Sequence, residues 1–242
     1  MRRIVLFVLT LGVGVMCLGL GIWQLSRLRD RREANAGAED ARRLPPIEYG
    51  AAGAPGLARH RRAVLRGTYD SAHDLLLRNR LVRGVPAVLV ITPLRIPGSD
   101  TAILVNRGYV PAPDATNPGR IPFAEPGEVS VTGLVLPVPN RGDGARLTHS
   151  GSARETWQAL DLDAMRARLP YPLSDLYLIA TVDTSAAHTP EGGAYPIRAE
   201  LPALGDGPHL MYAVQWFGIA IAAVAFGVSF VRRRRPVSVV DT

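Results

Sequence analysis

The stretch His209-Leu-Met-Tyr-Ala-Val-Gln-Trp-Phe217 decides the fold, because a long polar region passes there into the last apolar run of the chain. From Leu210 to Val231 there are 22 residues without a formal charge. A helix of that length crosses the hydrocarbon core of a bilayer. We therefore expect His209 to lie at the water edge of a membrane helix.

One face of this helix combines polar, aromatic and small side chains. At about 100° per residue, seven residues share that face: His209, Tyr212, Ala213, Trp216, Ala220, Ala223 and Gly227. Such a face can admit a second helix or a flat ligand. Trp, Tyr and His are also ordinary residues of the membrane interface, so the spacing alone leaves both interpretations open.

A second apolar run lies at the N-terminus, where residues 4–26 carry no charge. Its small residues Gly14, Cys17 and Gly21 recur on one face, so we expect the two helices to pack directly. The run is longer than that of a secretory signal, which favours an uncleaved anchor. The predicted organisation is cytoplasmic ends at 1–3 and 232–242, transmembrane helices at 4–26 and 209–231, and an extracytoplasmic domain at 27–208.

The distribution of charge predicts the orientation in the membrane. The net charge is +7, yet 16 Arg and 16 acidic residues balance between Leu44 and Val231. The excess lies beside the apolar runs, at Arg2, Arg3 and Arg232–Arg235. The positive-inside rule then puts both termini in the cytoplasm and the domain outside a cell membrane. The same distribution speaks against a nucleic-acid surface.

Between the apolar runs, short strand patterns dominate. A helical continuation from Arg27 to Glu39, stopped by Pro45-Pro46, and a linker from Glu48 to Leu57 precede them. A helix with a capping Asp is predicted over Asp161–Leu169. Strands are predicted at Arg62–Tyr69, Leu75–Arg80, Val85–Ile96, Thr101–Val110, Val129–Leu136, Thr156–Leu160 and Leu176–Asp183. The fold class is α+β, with a small antiparallel sheet or a partly open barrel and one or two helices.

The sequence offers no convincing catalytic or copper site. Its one cysteine, Cys17, lies in the first apolar run, and its four Met are scattered, which is unlike a copper carrier. His149 and Ser152 come nearest to a hydrolase pair, but a Gly-rich loop explains them better. The histidines expected to be solvated are His60, His73, His149 and His188. We expect no enzymatic activity.

A haem group demands less of a sequence than catalysis does. It needs one axial His, a flat apolar slot and aromatic neighbours. His209, with Tyr212 and Trp216 along the same face, provides these at the membrane edge.

Seven short motifs together resemble the Surfeit-locus family of cytochrome c oxidase assembly factors, and they occur in the family's order. They are Gly21-Ile-Trp-Gln-Leu-Ser-Arg27, Arg66-Gly-Thr-Tyr-Asp70, Leu77-Arg-Asn-Arg80, Ile91-Thr-Pro-Leu94, Leu104-Val-Asn-Arg-Gly-Tyr-Val-Pro111, Val131-Thr-Gly133 and the stretch from His209 to Phe217. The resemblance implies a role in inserting haem a into the catalytic subunit of the oxidase. The chain departs from the family's pattern at Val85-Pro86-Ala87 and in a Gly/Arg loop at 141–146.

Carried onto this chain, the resemblance implies a haem a site with His209 as the axial ligand of the iron. The side chains expected around the haem are Tyr212, Trp216, Trp23, Gln24 and Arg27. Contacts with the catalytic subunit are expected from Asn106, Arg107 and Tyr109. The haem a synthesis machinery and membrane lipid are further expected partners.

Two other functions stay open at this point. The first is a cofactor-free membrane scaffold that stabilises an oxidase assembly intermediate through its external domain. The second is an envelope hydrolase that uses His149 and Ser152.

Overall fold

The computed structural model describes residues 2–50, 56–115, 125–138, 155–181, 196–198 and 201–232. The chain forms two compact units. One consists of Met1–Gly37 with Leu204–Thr242, and the other of Ala38–Ala203. The Gly/Arg loop at 141–146 lies outside the described residues.

Three α-helices occur in the described part of the chain: α1 (Arg2–Arg43), α2 (Leu162–Arg166) and α3 (His209–Arg232). Both α1 and α3 are long and apolar enough to cross a membrane. At 1.5 Å per residue, the 42 residues of α1 extend about 63 Å. The helix therefore continues past its apolar part, and it stops two residues before Pro45, as the proline predicts. The predicted helical continuation after Arg27 is confirmed.

The described strands are short and belong to one sheet. They are β1 (Ile47–Tyr49), β2 (Arg62–Tyr69), β3 (Leu75–Val82), β4 (Val85–Arg95), β5 (Ala102–Pro111), β6 (Glu128–Pro137), β7 (Glu155–Trp157) and β8 (Leu173–Ala180). All seven predicted strands are present, with ends that differ by a few residues. The linker predicted over Glu48–Leu57 is wrong at its start, because β1 pairs there with β2.

The sheet closes on itself into a barrel-like ring. Its order is β1-β2-β6-β8-β5-β4-β3-β7, and β2 also pairs with β4. The strands β2, β6, β8, β5 and β4 therefore form a closed ring, with β1 and the β3–β7 pair added at its sides. The ring removes most of the free strand edges of an open sheet.

The sheet is mixed, whereas the sequence predicted an antiparallel one. The pairs β1–β2, β3–β7 and β5–β8 are parallel. A parallel pair needs a long crossover connection. The segment between β5 and β8, which contains β6, β7 and α2, provides it.

Both faces of β5 are buried, which explains its nearly unbroken apolar sequence. Ile103 and Val105 face one core cluster, formed by strands of the ring. Ala102 and Leu104 face a second cluster. The second cluster includes Trp157 of β7 and two residues of α2, Leu162 and Met165. Asp161 caps α2 by accepting a hydrogen bond from the Ala164 amide at 3.0 Å, as predicted.

Candidate functional site

Small residues bring α1 and α3 into direct contact, as their spacing predicts. Gly14 and Cys17 of α1 and Ala213 and Ala220 of α3 are buried. A Cβ atom on Gly14 would lie 3.0 Å from Val224 Cγ2. We call this contact zone the helix seam; its members are Gly14, Cys17, Gly21, Ala213, Phe217, Ala220, Val224 and Gly227.

Two glycines of the helix seam leave no room for a side chain. A Cβ atom on Gly21 would overlap the phenyl ring of Phe217, and one on Gly227 would overlap the hydroxyl of Thr10. Gly21 contacts the first half of α3, whereas Thr10, earlier in α1, contacts its second half. The two helices therefore run antiparallel.

At the end of the helix seam, Gln24 meets His209. The Nδ1 atom of His209 lies 2.9 Å from Oε1 of Gln24, and both side chains are partly buried. With Oε1 of Gln24 facing the ring, Nδ1 must be the donor, because a carboxamide oxygen only accepts hydrogen bonds. In a neutral imidazole with this tautomer the lone pair is on Nε2, and neutral imidazole is the form that ligates metals.

The loop before α3 is fastened to α1 by three polar contacts. We call Leu204–Pro208 the approach loop. Asp206 pairs with Arg32 at 2.8 Å, and the carbonyl of Gly205 accepts from Arg31 and Asn35, each at 3.2 Å. These groups are exposed, so each contact contributes only about 0–1 kcal/mol. Together they fix where α3 begins.

Gly207 of the approach loop keeps space beside the imidazole. Its φ of +72° favours glycine, and a Cβ atom there would lie 3.5 Å from His209 Nε2. A Cβ atom at this position would be in ordinary van der Waals contact with the imidazole.

The other residues predicted around a haem are not gathered at His209. Trp216 is half-buried, whereas Tyr212 is 47% exposed at the margin of the seam face and Trp23 is 54% exposed. Arg27 pairs with Asp30 at 3.4 Å, and its side chain is also largely exposed. Trp23 and Arg27 lie outside the helix seam. Within the described part of the chain, Gln24 is the one predicted residue that forms a hydrogen bond with His209.

The predicted partner residues lie on a β-bulge of the sheet unit. The register of β5 against β4 shifts between Asn106 and Gly108, which leaves Arg107 as the extra residue. Its side chain is fully buried, so the guanidinium offers no surface to a partner in this conformation. Asn106 is also buried, and only Tyr109 is partly exposed.

Arg107 instead forms the buried centre of a charged network whose other charged members are partly buried. Its Nη2 donates to Glu125 at 2.8 Å, and its guanidinium lies 4.5 Å from the centre of the Tyr69 ring. Arg198 donates to the Arg107 carbonyl at 2.8 Å and to Glu125 at 3.2 Å. Burial raises the pKa of Tyr69 to about 12. The sequence did not reveal this network, because its members are far apart along the chain.

A second polar cluster joins β2 to the segment before β8. Asp70 Oδ2 accepts from the Tyr171 hydroxyl at 2.6 Å and from His73 Nδ1 at 2.8 Å. Burial raises the pKa of Asp70, but these two hydrogen bonds outweigh it and leave that pKa below its ordinary value. The Arg95 guanidinium lies 4.2 Å from the Tyr171 ring centre. His73 is therefore partnered, which corrects the expectation that it is merely solvated.

The sheet unit contains a cavity that is small for a porphyrin. Its volume is about 250 Å³, and Leu77, Ile91, Asn106 and Tyr177 are among its lining residues. Small-molecule sites usually measure about 300–1,000 Å³. Among the described residues no group of three or more His, Cys, Asp or Glu could hold a metal ion. His149 and Ser152 lie outside the described residues.

The fold and the site together define a class of protein. In this class a barrel-like β unit is inserted between two apolar helices that pack through glycines, and a hydrogen-bonded histidine lies where the second helix begins. The chain belongs to the SURF1 family, which residues 11–221 match.

Relatives from a choanoflagellate, a bacterium and a vertebrate can be aligned over most of the chain. A SURF1-like protein of Monosiga brevicollis is 28% identical, covering 93% of this chain and 86% of the relative. A SURF1-like protein of Rickettsia felis is 25% identical, with 92% and 94% covered. Human Surfeit locus protein 1 is 25% identical, with 87% and 72% covered.

Proposed function

We propose that this chain is a membrane-anchored assembly factor for haem-copper cytochrome c oxidase, and that it assists insertion of haem a into the catalytic subunit. Membership of the SURF1 family supports this role. The observation that carries the haem part is the 2.9 Å contact between Gln24 and His209. In this proposal the chain binds and presents haem, and it catalyses no reaction of its own.

The membrane part of the proposal rests on the two apolar helices. Both α1 and α3 would cross the cell membrane, antiparallel to each other, with the sheet unit on the extracytoplasmic side. The Arg residues at positions 2, 3 and 232–235 support cytoplasmic termini. Large apolar side chains cover the outer surface of both helices, and Val8, Val15, Met211, Ile221 and Phe226 are each more than half exposed. Lipid would cover these side chains.

Haem a is cargo in this proposal, and the imidazole of His209 is a suitable ligand for its iron. A bound haem would bring an iron that an imidazole nitrogen can ligate. His209 would hold the iron through Nε2, the ring nitrogen that does not face Gln24. The weak, exposed pair of Arg27 with Asp30 could exchange for a propionate, since Arg binds carboxylates bidentately. Tyr212, Trp216 and Trp23 offer aromatic surface.

The catalytic subunit of the oxidase is the proposed recipient, and the haem a synthesis machinery the proposed donor. Tyr109 is the candidate contact residue whose side chain reaches the surface. Asn106 supports it from within, because its Oδ1 accepts from the Gly108 amide at 3.0 Å. The buried Arg107 would shape this surface without touching the partner.

The experiment measures haem a in the catalytic subunit purified from cells that lack this chain. We expect the subunit to be present with a reduced ratio of haem a to polypeptide. Wild-type chain and the control variant His73→Ala should restore the ratio, whereas His209→Ala should not. Full restoration by His209→Ala would contradict the haem role and favour the cofactor-free scaffold.

A further inference from the structure

The contact between Gln24 and His209 spans 185 residues of sequence, so it is a product of the fold. The two helices bring it about through the helix seam. Gln24 lies one turn beyond Gly21, where the Phe217 ring occupies the space of a side chain. Close packing at Gly21 thus carries the Gln24 carboxamide to the level at which α3 begins.

We propose that Gln24 is a positioning residue that fixes the tautomer and the ring orientation of His209. It would act through the imidazole, and it would not touch the iron. This inference rests on the proposed function, because it assigns the Nε2 atom of His209 to a haem.

The chemistry of the carboxamide makes the direction of the hydrogen bond decisive. With Oε1 of Gln24 facing Nδ1, the imidazole must carry its proton on Nδ1. The opposite tautomer would set the Nδ1 lone pair against the oxygen lone pairs, which is repulsive. Metal-ligating histidines usually donate their second ring N–H to such an acceptor, which fixes the ring and raises the basicity of the ligating nitrogen.

The approach loop, directly before His209, is also held by α1. Arg32 anchors Asp206 at 2.8 Å, three residues before His209. The start of α3 is therefore held by α1 at two levels, through Arg32 and through Gln24. Arg32 pairs with the Asp206 carboxylate and Gln24 with the ring, so of the two only Gln24 can set the tautomer.

A pair of substitutions at position 24 distinguishes positioning from simple packing. Gln24→Leu keeps the volume and removes the acceptor. Gln24→Glu keeps an oxygen acceptor but, when ionised, has no N–H to donate. It therefore preserves a hydrogen bond donated by Nδ1–H. It would abolish a hydrogen bond that the amide NH2 of Gln24 donated to Nδ1. The matched control is Gln215→Leu, the same change at an exposed position of α3.

The first readout needs no haem. Protein labelled with ¹⁵N-histidine is measured in detergent at a pH where the imidazole is neutral, and His209→Ala identifies the signal. We expect the Nδ1–H tautomer in the wild type, in Gln24→Glu and in Gln215→Leu. We expect the Nε2–H form to increase in Gln24→Leu. An Nε2–H tautomer in the wild type, or no change in Gln24→Leu, would overturn the proposal.

The second readout is titration with haemin, followed by visible absorbance. Loss of such an orienting group typically weakens metal binding by about 10–100-fold, and we expect that loss for Gln24→Leu but not for Gln24→Glu. Equal affinities and spectra for Gln24→Leu and the wild type would refute positioning and leave the haem role standing. A wild type that binds neither haemin nor haem a would refute the haem role, while the tautomer measurement would still test the Gln24 contact.

Discussion

Replacement of Gly21 by alanine should force the helix seam open. A Cβ atom there would overlap Cε1 of the Phe217 ring and lie 2.7 Å from Cδ1 and 2.8 Å from Cζ. These separations are well inside van der Waals contact, so the ring or the helices must move. Overpacking of this kind costs about 1–3 kcal/mol. We expect the free energy that favours packed over separated α1 and α3 helices to fall by that amount.

The single cysteine makes this loss measurable. Cys17 lies in the helix seam and is 2% exposed, so a thiol reagent reaches it when the helices part. At one tenfold change per 1.4 kcal/mol, a cost of 1–3 kcal/mol raises the separated population about 5- to 150-fold. In detergent, the rate at which a small maleimide labels Cys17 should rise by the same factor, provided that closing is faster than labelling.

Two further variants test the cause. Gly19→Ala is the matched control, because nothing lies within 4 Å of a Cβ atom at that position, and its labelling rate should equal that of the wild type. Adding Phe217→Ala to Gly21→Ala should bring the rate back toward the wild-type value, since the new methyl group then has room. A wild-type rate in Gly21→Ala alone would refute this account of the helix seam.

Three predictions concern the sheet unit. Arg107→Met should lower the free energy of unfolding by about 1–3 kcal/mol, because it leaves a partly buried carboxylate with one partner fewer; urea unfolding measures this. Gly108→Ala should destabilise the unit, since its φ of +122° disfavours a side chain and the new Cβ atom would overlap the Ile197 carbonyl; its melting temperature should fall. The pKa of Asp70 is lowered in the folded state. The ionised carboxylate therefore stabilises the fold fully above the unfolded-state pKa of about 3.9. This stabilisation is lost as the pH falls through the lower pKa of the folded state. Tyr171→Phe should weaken that acid dependence of the melting temperature.

Each of these has a control in the same unit. Arg66→Met alters an exposed arginine of β2, and Gly56→Ala alters a glycine with nothing within 4 Å of its added Cβ atom. Tyr49→Phe makes the same chemical change as Tyr171→Phe. If a control changed stability as much as its test variant, the corresponding contact would not be the cause.

The positions of most elements follow from the sequence because each strand or helix carries its own local pattern. The strand predicted over Arg62–Tyr69 matches β2, and Pro45-Pro46 stops α1 as predicted. The start of β8 was placed late, at Leu176, because Ser174 and Asp175 interrupt the apolar run although the backbone already pairs there. The sequence does not predict the three-residue β1, because three residues are too few to show a strand pattern. Its strand conformation comes from pairing with β2.

The spacing of small residues predicts part of the seam face of each helix but not the contacts between side chains. The spacing of Gly14, Cys17 and Gly21 predicted direct packing, and Gln24 and His209 were both named as site residues without being paired. The family resemblance predicts a partner contact at Arg107, whereas the fold buries this side chain. Its burial depends on Glu125 and Tyr69, which the fold brings from other segments. Such long-range polar pairing leaves no local signal.

The most direct test of the central claim is the visible spectrum of the full chain, purified in mild detergent from cells that make haem a, beside His209→Ala and the control His73→Ala. The account predicts a haem a band in the wild type and in His73→Ala, and its loss in His209→Ala with the protein still folded. A band of equal intensity in His209→Ala, or no band in a folded wild type that associates with the catalytic subunit, would contradict it.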